Sequence, residues 1–127
     1  MQHGCAVNDL MNLTGRVLIA LLFLGGAVQK AGDPGQVTRM IESLGLPGQM
    51  VWAVAAFNLI AGICLIFGPR IRTWAVVLAI YCIATSWFHW QLRADPWQVT
   101  IVVKNWAIAG GLLILAAQGP GRLRRWR

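Results

Sequence analysis

Hydrophobic residues in this chain gather into long runs, without the two-residue alternation of a half-buried strand. Val17–Val28, Met50–Phe67, Trp74–Phe88 and Ile101–Ala117 are almost wholly apolar, the last interrupted by Lys104 and Asn105. A membrane span needs about 20 largely apolar residues. Three runs reach or nearly reach that length with their flanks, and the first does so once Leu13–Gly15 and Gln29 are included. The pattern predicts an all-α, integral membrane four-helix bundle, with spans at roughly 13–31, 50–68, 73–92 and 98–118 in one domain covering residues 1–127. Arg16, the apolar stretch after it and Gly25-Gly26-Ala27 also fit a signal peptide loosely. We read this segment as a retained span.

Between the first two runs, PGQVTRMIESLGLPG alternates differently. Val37, Met40, Ile41 and Leu44 fall on one helical face, with Arg39 and Glu42 elsewhere. This predicts a short amphipathic helix from Pro34 to about Leu44, stopped by Gly45 and Pro47 and lying over the outer mouth of the bundle.

The connections repeat a phrase: KAGDPGQVT at residues 30–38 and RADPWQVT at 93–100. Asp33 and Asp95 stand at N-cap positions, Pro34 and Pro96 at the first helical position, and Gln36 and Gln98 at the third. That order spells a capping-box helix start. The basic residue before each Asp suits the C-terminal end of the outgoing helix. Shared turn chemistry accounts for the repeat better than an ancient duplication.

Composition supports the membrane reading. The chain is 57% hydrophobic and 12% charged, against roughly 25% charged residues in soluble domains. With four spans, the termini and the 68–73 loop share one side. That side carries seven basic residues (Arg16, Arg70, Arg72, Arg122, Arg124, Arg125 and Arg127), against four (Lys30, Arg39, Arg93 and Lys104) on the other. The bias places both termini in the cytoplasm of a bacterial inner membrane. The net charge of +7 then needs no nucleic acid. Arg122, Arg124, Arg125 and Arg127 read as anchors for anionic lipid head groups. Trp52, Trp87, Trp90 and Trp97 are expected at the outer interface and Trp74 and Trp126 at the inner one, leaving Trp106 deeper.

Polar residues inside spans are costly and therefore chemically informative. Lys30 ends the first span, and His89 and Arg93 end the third. Cys82, Thr85, Ser86, His89 and Arg93 follow helical spacing, and Lys104 with Asn105 lies about two turns into the fourth span. Ala55, Asn58 and Gly62 make a small-residue face where another helix can approach. Lys30, Asn58, Ser86, His89, Arg93, Lys104 and Asn105 are thus candidates for a polar pocket opening outward. Each has a plainer role available: snorkelling for Lys30 and Arg93, carbonyl capping for His89 and Lys104, helix–helix bonding for Asn58. No catalytic residue is assigned. No metal site is expected, since His3 and His89 fall on opposite sides, and no cofactor motif is evident. A quinone or lipid is the ligand class in keeping with such a pocket. Beyond the bilayer itself, the partner classes are proteins of a membrane complex and further copies of the chain. No acidic residue falls within these predicted spans, which disfavours a carboxylate-based proton carrier.

Several of these residues recur together elsewhere. Arg16, Lys30, Gly45-Leu46-Pro47, Gly62, Gly68, Arg72, Phe88-His89, Lys104-Asn105 and Gly110-Gly111, in this order and spacing, resemble the DoxX-like family of small four-helix bacterial membrane proteins over residues 13–118. Many members carry Glu at the position of Asn58, so this chain lacks that buried acid. The resemblance implies association with membrane redox chemistry. Relatives include the large subunit of thiosulfate:quinone oxidoreductase, and partners of dismutase and sulfurtransferase in thiol-oxidant defence. The expected role is an accessory subunit of a quinone-linked or oxidative-stress assembly, leaning away from independent catalysis. The alternatives are a purely structural subunit of a respiratory or photosynthetic complex, and a thiosulfate:quinone-type oxidoreductase subunit.

Overall fold

The computed structural model describes residues 2–68 and 70–119. The anchors proposed at Arg122, Arg124, Arg125 and Arg127, together with Trp126, lie outside the described residues. Five helices follow one another: α1 (Gln2–Gly32), α2 (Gly35–Ser43), α3 (Met50–Phe67), α4 (Ile71–Gln91) and α5 (Pro96–Gln118). Four contain stretches long and apolar enough to cross a bilayer, at Val7–Gly32, Met50–Phe67, Ile71–Gln91 and Pro96–Gln118. At 1.5 Å per residue α3 spans about 27 Å and α5 about 35 Å, bracketing the ~30 Å hydrocarbon layer. The chain is therefore an all-α membrane bundle with a short amphipathic helix between its first two spans, as the hydrophobic pattern predicts. One difference is that α1 begins well before its apolar run. No proline precedes Pro34, so nothing stops the helix where its apolar residues begin.

The spans associate as two pairs, α1 against α3 and α4 against α5, joined mainly where α3 meets α4. Lipid tails are as apolar as leucine, so close packing has to hold such helices together. Small residues permit it: Ala20, Ala61, Ala75, Ala79 and Ala109 are all buried. α1 and α3 approach closely at Gly62, where a Cβ would stand 2.8 Å from Leu24 and 3.3 Å from the Ala20 carbonyl. The small-residue face read from Ala55, Asn58 and Gly62 is thus the surface that α1 covers. Bulky apolar side chains point the other way: Leu18, Ile80 and Val103 are 63–65% exposed. Such a surface suits hydrocarbon and not water.

The two repeated phrases fold differently. Asp95 caps α5, accepting the Trp97 N–H at 3.0 Å, with Pro96 at the first helical position. Gln98 does not complete a capping box, because its side chain reaches His89 instead. At the first phrase Pro34 occupies the N-cap of α2 with αR dihedrals and no side-chain cap bond. The Asp33 N–H still bonds the Gln29 carbonyl at 2.9 Å, so Asp33 continues the α1 backbone pattern. The basic residue of each phrase does fold back on its own helix. Lys30 Nζ donates to the Gly26 carbonyl at 3.4 Å and Arg93 to the Trp90 carbonyl at 3.1 Å.

Candidate functional site

Polar side chains collect at both ends of the bundle. At the end bearing the α3–α4 turn, Arg16 is 1% exposed although it lies within a span. The last carbonyls of a helix have no intrahelical partner, and in a membrane they must find one. Arg16 serves those of α3, donating to Leu65 O at 3.2 Å and Ile66 O at 2.6 Å. The Cys64 carbonyl is taken by the Gly68 N–H at 2.8 Å. The guanidinium also meets the negative end of the α3 dipole, and its Nε bonds Asn12 Oδ1 at 2.8 Å, one turn back on α1.

The terminus of α5 is closed by the same logic. Asn12 Nδ2 donates to Gly119 O at 3.1 Å, and Arg72 donates to Gln118 O at 3.3 Å. Gly119 has φ +77, and a Cβ there would overlap the Arg72 guanidinium. Asn12 and Arg16, side by side on α1, thereby link the ends of both helical pairs. The sequence pattern marks Arg16 as a basic residue near the start of the first span, without its partners, and does not single out Asn12. Their four-residue spacing was the available signal.

Away from that end, Lys30 near the end of α1 and Asn58 midway along α3 come together. A Cβ on Gly26 would stand 3.3 Å from Lys30 Nζ and 3.5 Å from Asn58 Nδ2, so two donors converge on the spot that this glycine leaves open. Asn58 is 3% exposed, and its carbonyl oxygen has no hydrogen-bond partner. The Tyr81 hydroxyl lies beside the Asn58 amide. The Tyr81 ring packs against Phe57 at 5.0 Å and Phe23 at 6.2 Å between centroids. Tyr81 escaped the sequence reading because it falls off the stripe of Cys82, Ser86 and His89.

The other candidates are less concentrated. Ser86 is buried and donates to its own helix at Cys82 O, 2.7 Å away. Thr85 bonds Tyr81 O at 2.9 Å, and Asn105 Nδ2 reaches the Thr85 hydroxyl from α5 at 3.4 Å. His89 Nδ1 lies 2.6 Å from Gln98 Oε1. An amide oxygen only accepts, so Nδ1 is the donor in this contact. Arg93 lies beyond the end of α4, exposed, with its guanidinium 5.1 Å from the Trp90 ring centre. Lys104 is exposed on α5. Trp106, expected deeper than the other tryptophans, is 61% exposed. Among the described residues, no group of three or more His, Cys, Asp or Glu is placed to hold a metal ion.

Comparison with known proteins agrees with this architecture. The DoxX family matches residues 11–90. Two Escherichia coli (strain K12) proteins are similar over most of their length. Inner membrane protein YqjF is 29% identical over 115 residues, covering 91% of this chain and 88% of the relative. Inner membrane protein YphA is 30% identical over 126 residues, covering 93% and 89%. No solved structure matches. With most of its four-span bundle inside the matched region, the chain belongs to the DoxX family.

Proposed function

We propose that this chain is an accessory subunit of a membrane redox assembly, holding a lipophilic ligand of the quinone class between Lys30 and Asn58, with the hydroxyl of its reduced form as the donor to Asn58. The observation that carries this reading is the buried Asn58 carbonyl oxygen without a partner, on a side chain whose own amide nitrogen and the Lys30 Nζ converge at Gly26. Leaving such a group unmade costs about 1–3 kcal/mol. A ligand answering it would offer a donor to Asn58 Oδ1 and an acceptor to Lys30 Nζ and Asn58 Nδ2. An oxidised quinone offers only acceptors, to Lys30 Nζ and Asn58 Nδ2, whereas the hydroxyl of the reduced form also supplies the donor that Asn58 Oδ1 lacks. His89, Ser86, Arg93, Lys104 and Asn105 would lie around or beyond this centre. The arginine bias supports an orientation with α2 and the α4–α5 turn outside the cell and both termini in the cytoplasm.

The test is equilibrium binding of a radiolabelled short-chain quinone to the purified protein in lipid nanodiscs, with a diacyl lipid as competitor. Saturable binding, weakened about tenfold by Asn58→Leu or Lys30→Met, supports the reading; tenfold corresponds to about 1.4 kcal/mol. Displacement by lipid alone identifies the ligand as lipid. Absent binding, or equal binding to Asn58→Leu, removes the site.

A second reading, a purely structural subunit, is favoured by the way Ser86, Thr85 and Arg93 spend their donors on their own helix. It predicts that Asn58→Leu loses no ligand, yet that the chain co-purifies with a larger complex in mild detergent.

A further inference from the structure

Lys104 stands on α5 eight residues beyond Pro96, about 12 Å along the helix axis. With α5 about 35 Å long across a ~30 Å hydrocarbon layer, its Cα lies about 10 Å inside the apolar zone. The side chain is nonetheless exposed, and among the described residues it makes no hydrogen bond or ion pair. A cation at this depth is expensive, and such a group calls for a counter-charge.

This chain has none to offer there. Its acidic residues are Asp9, Asp33, Glu42 and Asp95. Asp33 and Asp95 precede α2 and α5, Glu42 lies on α2, and Asp9 is near the other end of α1. A second copy packed on this face would set lysine against lysine. Nor does the face look built for lipid. Thr100, Val103, Lys104, Ala107, Gly110 and Ile114 recur at three- and four-residue spacing, and all are exposed. A Cβ on Gly110 would meet nothing within 4 Å. Packing within the chain therefore gives no reason for a glycine that weakens mid-helix structure. Lipid gives none either, whereas a neighbouring helix at close range does.

We infer that the Lys104 face of α5 docks a transmembrane helix of a different protein, one carrying a carboxylate in the outer third of its span. The carboxylate pairs with Lys104, and the partner backbone crosses at Gly110. This deepens the subunit reading by naming the face and the chemistry of the neighbour, and it is independent of the ligand site at Asn58.

The probe is a synthetic leucine–alanine transmembrane peptide with one Glu eight residues from its end, alongside a Gln-bearing counterpart. Each is titrated against the full chain in zwitterionic phosphatidylcholine vesicles, with association read by energy transfer between labels. The Glu peptide should associate about tenfold more tightly than the Gln peptide, in the range of polar contacts between membrane helices. Lys104→Met should abolish the preference, and Gly110→Leu should weaken both peptides. Equal association of the two peptides overturns the inference. So does Lys104-dependent enrichment of spin-labelled phosphatidylglycerol without any Glu preference, which assigns the charge to lipid. Energy transfer between copies of the chain that Gly110→Leu abolishes, again without a Glu preference, assigns the face to self-association. Neither Lys104→Met nor Gly110→Leu changes a residue packed inside the bundle, so both variants should fold. Quinone binding measured on the same preparations separates failure here from failure of the Asn58 site.

Discussion

Replacing Arg16 with methionine removes at least three hydrogen bonds while roughly preserving side-chain length: two to the α3 carbonyls at Leu65 and Ile66, one to Asn12. Hydrogen bonds to charged groups contribute about 1.5–3 kcal/mol in soluble proteins. Interhelical ones in membrane bundles average only about 0.6, reaching about 1.7. The two bonds to α3 are interhelical, and losing them leaves two terminal carbonyls without a donor in an apolar setting. The gain from no longer burying a cation works in the opposite direction. The balance is a loss of about 2–3 kcal/mol for Arg16→Met. Arg16→Lys, which keeps the charge but not the planar fork, should lose about half as much. Stability would be followed by tryptophan fluorescence and circular dichroism as the protein in mild detergent is titrated with sodium dodecyl sulfate. Asn12→Ala combined with Arg16→Met should cost less than the sum of the single changes, because the two side chains share a bond. Wild-type or higher stability for Arg16→Met would refute the view that this guanidinium closes the end of α3.

Other outcomes follow from the same geometry. Asp95→Ala should destabilise by about 1 kcal/mol through loss of the Trp97 cap; Asp33→Ala, which removes no cap bond, should stay within about 0.5 kcal/mol. The same detergent titration compares them. Gly62→Ala should cost about 1–3 kcal/mol, since its methyl group enters the Leu24 contact at 2.8 Å. Gly119→Val should loosen the α5 terminus through both its positive φ and the collision with Arg72, read as faster amide exchange over the last turn of α5.

The architecture is legible because lipid imposes a simple rule: apolar runs of bilayer length become helices, and Lys104 with Asn105 is too short an interruption to break the fourth. Only the amphipathic α2 needed its spacing read residue by residue. The polar contacts were harder. Asp33 and Asp95 stand in nearly identical words, yet only Asp95 caps. The difference lies in the backbone: Pro34 already has helical dihedrals and Asp95 has extended ones. Gln98 was assigned to the cap because local spacing cannot reveal that His89 stands across the turn. Lys30 and Asn58 were both chosen for their cost inside a span. That they meet at Gly26 depends on how α1 crosses α3, which spacing along one helix does not give. Depth along the chain groups Lys104 with them, but its rotation about the α5 axis leaves it exposed. Arg16 looked like a flank because its carbonyl partners are nearly fifty residues away and belong to the backbone, which leaves no mark in sequence.

Both the Asn58 site and the Lys104 face require the chain to cross the bilayer four times with α2 and the α4–α5 turn on one face. Cys5, Cys64 and Cys82 would first be replaced by alanine, then single cysteines introduced as Arg39→Cys, Ala94→Cys and Arg70→Cys. Intact cells would be labelled with a membrane-impermeant maleimide. The account predicts that Arg39→Cys and Ala94→Cys react from outside while Arg70→Cys reacts only after the membrane is opened. Equal labelling of Arg39→Cys and Arg70→Cys from the same face would contradict it.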